Sequence, residues 1–212
     1  MFIAIDGGDG SGKGVQIGLL KTWLEANNHD AVYFRDPGDT QLGEAIRSLL
    51  LDRKELDISP SAEAALFMAS RAQLVHEKIR PALEAGKIVL VDRYLLSTVV
   101  YQGYANMASE DQIAQIWKIG AVFAQGVLPD LTFILDCPAS VSAQRLNRPK
   151  DRIEEKGSGF HERVAEGYRQ AARSWTAYAP GKVCVLDATM TPEVISRQII
   201  DALQTLLVST TP

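Results

Sequence analysis

A short apolar run, Phe2-Ile3-Ala4-Ile5, passes through Asp6 into Gly7-Gly8-Asp9-Gly10-Ser11-Gly12-Lys13, and no other stretch restricts the fold as tightly. Gly7, Gly8, Gly10 and Gly12 permit backbone conformations that aim successive N–H groups inward at one anion. The helix expected from Lys13 onward turns its positive end to the same place, and Lys13 adds a mobile full charge. Strand, glycine loop and helix in this order read as a phosphate-binding loop. The usual pattern G-x-x-x-x-G-K-[ST] closes on a hydroxyl that ligates Mg2+. Here Gly14 and Val15 follow Lys13, so the cradle is present and the hydroxyl is missing.

The rest of the chain continues the alternation of strand and helix. Near-continuous apolar runs at Phe2 to Asp6, Ala31 to Arg35, Ile88 to Asp92, Leu131 to Asp136 and Val183 to Leu186 predict strands buried on both faces, as in a parallel sheet. Helices are expected near 13–27, 41–52, 61–85, 109–125, 139–147, 160–178 and 192–207, with Ser61 ahead of Glu63 and Thr191-Pro192-Glu193 as start signals. No repeat, linker or low-complexity block intervenes, so one three-layer α/β domain over 1–212 is expected, a five-stranded parallel sheet flanked by helices. The 212 residues, 46% of them hydrophobic, suffice for a full core. A formal net charge of −4 argues against a general partner of nucleic acid or membrane, while leaving room for a local basic site. Cys137 and Cys184 stand in apolar runs and read as buried, reduced thiols of a cytoplasmic protein. The amino-terminal apolar run is too short for a signal peptide or a membrane span.

Open parallel sheets bind ligands beyond the carboxyl ends of their strands. Asp6, Arg35, Asp92-Arg93 and Asp136 fall there. Pro37-Gly38-Asp39-Thr40 reads locally as a turn with a helix cap. Phe67 and Arg71, four apart on one helical face, allow two readings: a core aromatic beside a surface arginine, or a stacking plate with a hydrogen-bonding fork. Spacing alone favours the first. Ser97, Thr98, Tyr101 and Gln102 follow Asp92-Arg93-Tyr94 at helical spacing and would give a polar face beside the loop. Arg145, Arg148, Lys150 and Arg152 cluster between two helices, with Pro149 disfavouring helix at Arg148. Alone, that segment reads equally as a solvated charged loop.

Taken together, GGDGSGKG, RDPGDTQLGEAIRSLLL, LFMASRAQ, DRYLLSTVVYQG, PDLTFILD and DRIEEKGSGFHERVAEGY resemble the thymidylate kinase family, in order from Phe2 to about Tyr168. The resemblance implies a P-loop NTPase fold with a short lid at about 146–158. It also implies transfer of the γ-phosphoryl group of ATP to the 5′-phosphate of dTMP, Mg2+ as cofactor, and a homodimer. By position, Gly7, Gly8, Asp9, Gly10, Ser11, Gly12, Lys13, Gly14 and Val15 would hold ATP. Lys13, Arg93, Asp9 and the lid residues Arg148 and Arg152 would be catalytic. Asp9 would lie near the acceptor's 3′-hydroxyl and, with Asp92, hold the metal through water. Arg93 would bridge the acceptor phosphate towards the donor. Phe67 would stack on thymine, against the preference drawn from spacing, while Arg71 would donate to O4 and Thr98 and Gln102 would face N3. Tyr101 would lie under the deoxyribose, and Asp36 and Ser97 would complete the dTMP site.

Several positions depart from the family pattern. The phosphate loop carries no arginine, so the chain resembles the subgroup that keeps its arginines in the lid. The family usually has Glu at Asp6 and Asp36, Gly at Asp39 and Asp at Ser70. Asp39 would add negative charge near a phosphate, and Ser70 would leave Arg71 less firmly oriented. Two other readings stay open: a nucleoside monophosphate kinase of shifted base preference, on Ser70 and Asp39, and a catalytically dead regulator that binds nucleotide, on Gly14-Val15 and Asp39.

Overall fold

The apolar run that leads into the glycine loop becomes the middle strand of the sheet. In a computed structural model, which describes residues 1–147 and 149–210, the strands are β1 (Phe2–Gly7), β2 (Ala31–Arg35), β3 (Ile88–Asp92), β4 (Leu131–Asp136) and β5 (Lys182–Asp187). They pair in parallel in the order β2-β3-β1-β4-β5. The register sets Ile5 and Arg35 opposite Asp92, and Gly7 opposite Leu135. The charged strand ends therefore reach one edge of the sheet together.

The helices in chain order are α1 (Lys13–Ala26), α2 (Gln41–Leu51), α3 (Pro60–Leu74), α4 (Arg80–Glu84), α5 (Leu95–Thr98), α6 (Glu110–Phe123), α7 (Ala139–Arg145), α8 (Ser158–Arg173) and α9 (Pro192–Thr210). Alternate residues of β1 point to opposite faces. Ile3 and Ile5 meet Leu20 and Leu24 of α1 and Ile195, Ile199 and Leu203 of α9. Phe2 and Ala4 meet the other layer, built from Leu74, Trp117, Val164 and Tyr168 of α3, α6 and α8. Two buried cores on one sheet make the expected three-layer α/β architecture. No helix among the described residues is long and apolar enough to cross a membrane.

Local chemistry explains the boundaries. Thr40 caps α2 by accepting from Gly43 N at 2.9 Å, and Ser109 with Gln112 forms a capping box at α6. Five expectations need correction. Burial on both faces holds for β1, β3 and β4, whereas β2 and β5 are edge strands and only partly covered. Cys184, on β5, is accordingly half-buried, while Cys137 is buried; both thiols are free. The third helix starts from Ser59, ahead of Pro60, rather than Ser61. It also does not run unbroken to residue 85: a π-helical turn, Val75–Ile79, separates α3 from α4, just ahead of Pro81, which has no N–H to continue the ladder. The stretch expected as helix to residue 178 leaves the α form at Arg173 and ends in a short 3-10 turn, Trp175–Ala177.

Gly181, at the entrance to β5, sits against rigid backbone. A Cβ there would lie 2.0 Å from Pro129 O and 2.9 Å from Asp130 O. Backbone carbonyls at the entrance to β4 cannot swing away as a side chain can. Gly181→Ala is expected to cost about 2 kcal/mol and lower Tm by about 4–8 °C; thermal denaturation within 1–2 °C of wild type would contradict this.

Candidate active site

The glycine loop ends its strand with Gly7 and returns into α1 through Gly10 and Gly12, both at positive φ. At Gly10 the conformation and the space both demand glycine, since a Cβ would lie 2.3 Å from Ser142 O of α7. Val15 N and Gln16 N both bond to Gly12 O, at 3.1 and 3.2 Å, so the first turn of α1 closes on the loop itself. Lys13 folds back over it, donating to Gly7 O at 3.1 Å and Gly8 O at 2.8 Å. Burial, reinforced by the nearby Arg93 charge, lowers the Lys13 pKa to about 8. An arriving polyanion would relieve that burden.

Arg93 follows β3 at φ 65, an unusual conformation for a side chain of its size. It donates to Gly7 O at 2.8 Å, Ser97 Oγ at 3.1 Å, Tyr168 OH at 3.2 Å and Tyr101 OH at 3.3 Å, and forms an ion pair with Asp9. Tyr101 OH donates to the other Asp9 oxygen at 2.7 Å. Burial alone would raise the Asp9 pKa, but Arg93 and Lys13 outweigh it and hold the carboxyl at about 2. Asp6 goes the other way: burial raises it to about 6, against the Ser97 hydrogen bond and the charge of Arg93. Its Oδ1 accepts from Ser97 at 2.5 Å and Tyr168 at 3.3 Å, while Oδ2 is buried without a partner.

A cavity of about 630 Å3 opens from the loop towards α2, α3 and the helical turn after β3. Asp9, Gly10, Gly12, Lys13, Gly14 and Val15 border it at one end. Asp36, Phe67, Arg71, Ser97, Thr98, Tyr101 and Gln102 border it at the other, with Asp92 and Arg93 also contributing. Gly7, Gly8, Ser11 and Arg152 do not line it: Ser11 is buried beneath the loop, and Gly8 faces a smaller cavity of about 310 Å3. Phe67 is half-buried and both packs on the core and borders the cavity, so each of its two sequence readings describes part of it.

Arg71 corrects the expectation drawn from Ser70. It is 1% exposed and firmly held, by Asp36 Oδ2 at 2.6 Å, Thr98 Oγ1 at 2.9 Å and Tyr94 O at 3.2 Å. Its remaining nitrogen, NH1, has no protein partner. Burial raises the Asp36 pKa despite this arginine. Asp39 is likewise explained. At φ 58 it takes a conformation that favours glycine, and its Oδ2 accepts from Arg35 N at 2.6 Å, fastening the turn to the end of β2.

Of the four cations read as one cluster, the three described ones lie in different surroundings. Arg145 donates to Ala188 O at 2.9 Å. Lys150 is exposed beside the smaller cavity. Arg152 is held by Leu50 O at 2.8 Å and by Glu63, away from the phosphate loop. Arg148 lies outside the described residues. Two functional groups escaped sequence reasoning, Tyr168 as a partner of Arg93 and Glu63, read only as part of a helix start, while Asp6, expected at the strand end, joins the network through Ser97 and Tyr168. Tyr168 lies 75 residues from Arg93, and no local pattern joins them.

The carboxylates suit a hydrated divalent cation. No group of three or more His, Cys, Asp or Glu side chains among the described residues could hold a metal ion directly. Asp92 keeps Oδ1 buried without a partner, and Asp9 stays ionised beside the loop. One carboxylate with an unpartnered oxygen and one kept ionised fit Mg2+ bound through water and substrate oxygens rather than caged by protein ligands.

Comparison with known proteins agrees with this geometry. A family model described as thymidylate kinase matches residues 5–199. The thymidylate kinase of Kosmotoga olearia is 42% identical over 202 residues, covering 94% of this chain and 93% of its own. That of Clavibacter sepedonicus is 43% identical over 204 residues, covering 94% and 92%. That of Nitratidesulfovibrio vulgaris is 38% identical over 209 residues, covering 94% and 90%.

Asp6 gives a pH test of the buried network. Its folded pKa, about 6, exceeds the ordinary 3.8, so its favourable contribution is present in acid and is lost as pH rises through 6. Asp6→Asn keeps an acceptor for Ser97 and cannot ionise. The variant should gain about 2 kcal/mol on wild type between pH 4 and pH 8. Chemical denaturation at both pH values checks this, and a pH-independent difference would refute it.

Proposed function

The chain belongs to the thymidylate kinase family and phosphorylates dTMP to dTDP with ATP; from that premise we propose how its residues divide the work. The observation that carries the assignment is the Arg93 network, which joins Gly7 and Asp9 of the phosphate loop to Ser97 and Tyr101 at the other end of one cavity. A dTMP phosphate, with its second pKa near ~6, is mostly dianionic at neutral pH. It needs no strong base; it needs to be held in line with a second polyanion and screened from it.

Lys13 and the loop from Gly7 to Val15 hold the ATP phosphates. Arg93 holds the acceptor phosphate against the transferring group, and Asp9 and Tyr101 fix its guanidinium while facing the sugar. Phe67 stacks on thymine, and the unpaired nitrogen of Arg71 donates to O4. Because Asp36 and Thr98 rather than residue 70 orient Arg71, Ser70 does not call for a shifted base preference. Thr98 thus acts mainly through Arg71. Mg2+, held through water by Asp9 and Asp92, would offset charge between the two substrates.

We assign residues 146–158 to a short lid on a single kinase domain. Arg152 would have to leave Glu63 before reaching the phosphates, so in the arrangement seen here Lys13 and Arg93 supply the charge, with Arg148 as the lid's other candidate. A cytoplasmic setting fits the two free thiols. A homodimer is supported by α6, where Ile119, Val122 and Phe123, at i, i+3 and i+4, are 49%, 74% and 42% exposed.

Two experiments test this reading. With ATP-Mg2+ and each monophosphate in turn, ADP release should be fastest with dTMP and fall at least about 100-fold in Lys13→Ala. Binding of dTMP without turnover would favour the regulator, and a better acceptor than dTMP the shifted specificity. Light scattering should give a dimer for wild type and a monomer for Val122→Glu; a monomeric wild type would remove the dimer from the proposal.

A further inference from the structure

Glu63 is 1% exposed on α3, yet it is among the most heavily engaged carboxylates in the chain. Its Oε1 accepts from Arg152 at 2.5 Å. Its Oε2 accepts from Lys156 at 3.3 Å and from the side-chain amide of Gln102 at 2.8 Å. Two cations balance the buried charge, which would otherwise be costly. The third partner is different in kind, because Gln102 borders the substrate cavity.

An ionised carboxylate only accepts hydrogen bonds. Next to Glu63, the Gln102 amide must therefore turn its NH2 inward, which sends its carbonyl oxygen the other way. Gln102 is 5% exposed and borders the cavity, and with its NH2 bonded to Glu63 the amide's acceptor oxygen is left for that side. The π-helical turn Val99–Gly103 that carries Gln102 is fixed in turn by Asn106, which donates to Tyr101 O at 2.9 Å.

We propose that Glu63 is a specificity-determining positioning residue: it locks the Gln102 amide so that an acceptor faces the pyrimidine, selecting a base with a proton on N3. Thymine carries that proton. Cytosine presents a lone pair at N3 instead, so two acceptors would oppose each other, and such mismatches are penalised strongly in buried polar sites. Arg152 and Lys156 attach the same carboxylate to the lid segment, so the lid is docked through the residue that reads the base. The inference rests on the dTMP assignment and adds to it a residue that touches neither substrate.

The test is Glu63→Gln, whose amide can accept or donate and so leaves Gln102 free to turn. Lid effects are shared by both acceptors and cancel in a ratio. The ratio of Kd values for dCMP and dTMP, measured by calorimetry on the full-length enzyme, should fall about tenfold in Glu63→Gln. A uniform loss with the ratio unchanged would show a merely structural role and overturn the proposal. Wild-type turnover with dTMP checks the assignment separately, because its absence sinks that reading whatever the variant does. Side-chain amide NMR on wild type, with Gln102 identified by Gln102→Leu, gives a readout that survives a misfolded Glu63 variant. One Gln102 N–H should be shifted and protected from solvent exchange. A pair of averaged, fast-exchanging protons would refute the lock.

Discussion

The site depends on a single guanidinium. Arg93 leaves β3 at positive φ and reaches Gly7 O, Asp9, Ser97, Tyr101 and Tyr168. Those partners belong to β1, the phosphate loop, the helical turn after β3, and α8. A planar donor with several fixed N–H directions can serve that many elements at once, whereas a lysine, a point charge on a flexible stem, could not. Its charge also holds Asp9 ionised, near a pKa of about 2, and adds to burial in lowering the Lys13 pKa to about 8. Remove Arg93 and a part-buried acid, Asp9, loses its main counter-ion while the loop loses its tie to Ser97 and Tyr101 across the cavity.

Around that guanidinium the protein keeps an excess of buried polarity. Asp6, Asp36 and Arg71 are each nearly sealed, and each leaves one polar atom unpaired. In a passive core such atoms would be a liability of about 1–3 kcal/mol apiece. Here those of Asp36 and Arg71 belong to residues that line the cavity, as does the unpaired Oδ1 of Asp92. A site that must bind two polyanions, release them and rebind new ones needs donors and acceptors that the fold itself does not fully consume.

Much of this was legible in the sequence, because its signals are local. The phosphate loop, the five strands and the helix caps at Thr40 and Pro192 each rest on residues within a few positions of one another. The resemblance then supplied Phe67, Arg71, Arg93, Tyr101 and Gln102, and all five border one cavity. What escaped was long-range pairing. Asp36 and Arg71 are 35 residues apart, Glu63 and Arg152 are 89 apart, and neither pair has a spacing that marks it. The division of the lid cations escaped for the same reason: a run of like charges says nothing about which carboxylate or carbonyl each will find. Edge exposure of β2 and β5 was hidden too, since their apolar runs match those of the central strands.

The missing hydroxyl after Lys13 is best judged by what shapes the loop. Its turns come from positive φ at Gly7, Gly10 and Gly12, its tip is pressed by α7 at Gly10, and Lys13 ties it down through two carbonyls. Gly14 and Val15 contribute none of that; both are exposed on the first turn of α1. A threonine there would add a metal ligand without altering the cradle. Mg2+ keeps several waters and accepts carboxylates and phosphate oxygens in place of a hydroxyl, and Asp9 and Asp92 stand within the same cavity wall. On the roles proposed here, the missing hydroxyl would act on how tightly metal and nucleotide are held, while Lys13 and Arg93, the groups assigned to the transferring phosphoryl, are held by contacts that do not involve Gly14 or Val15.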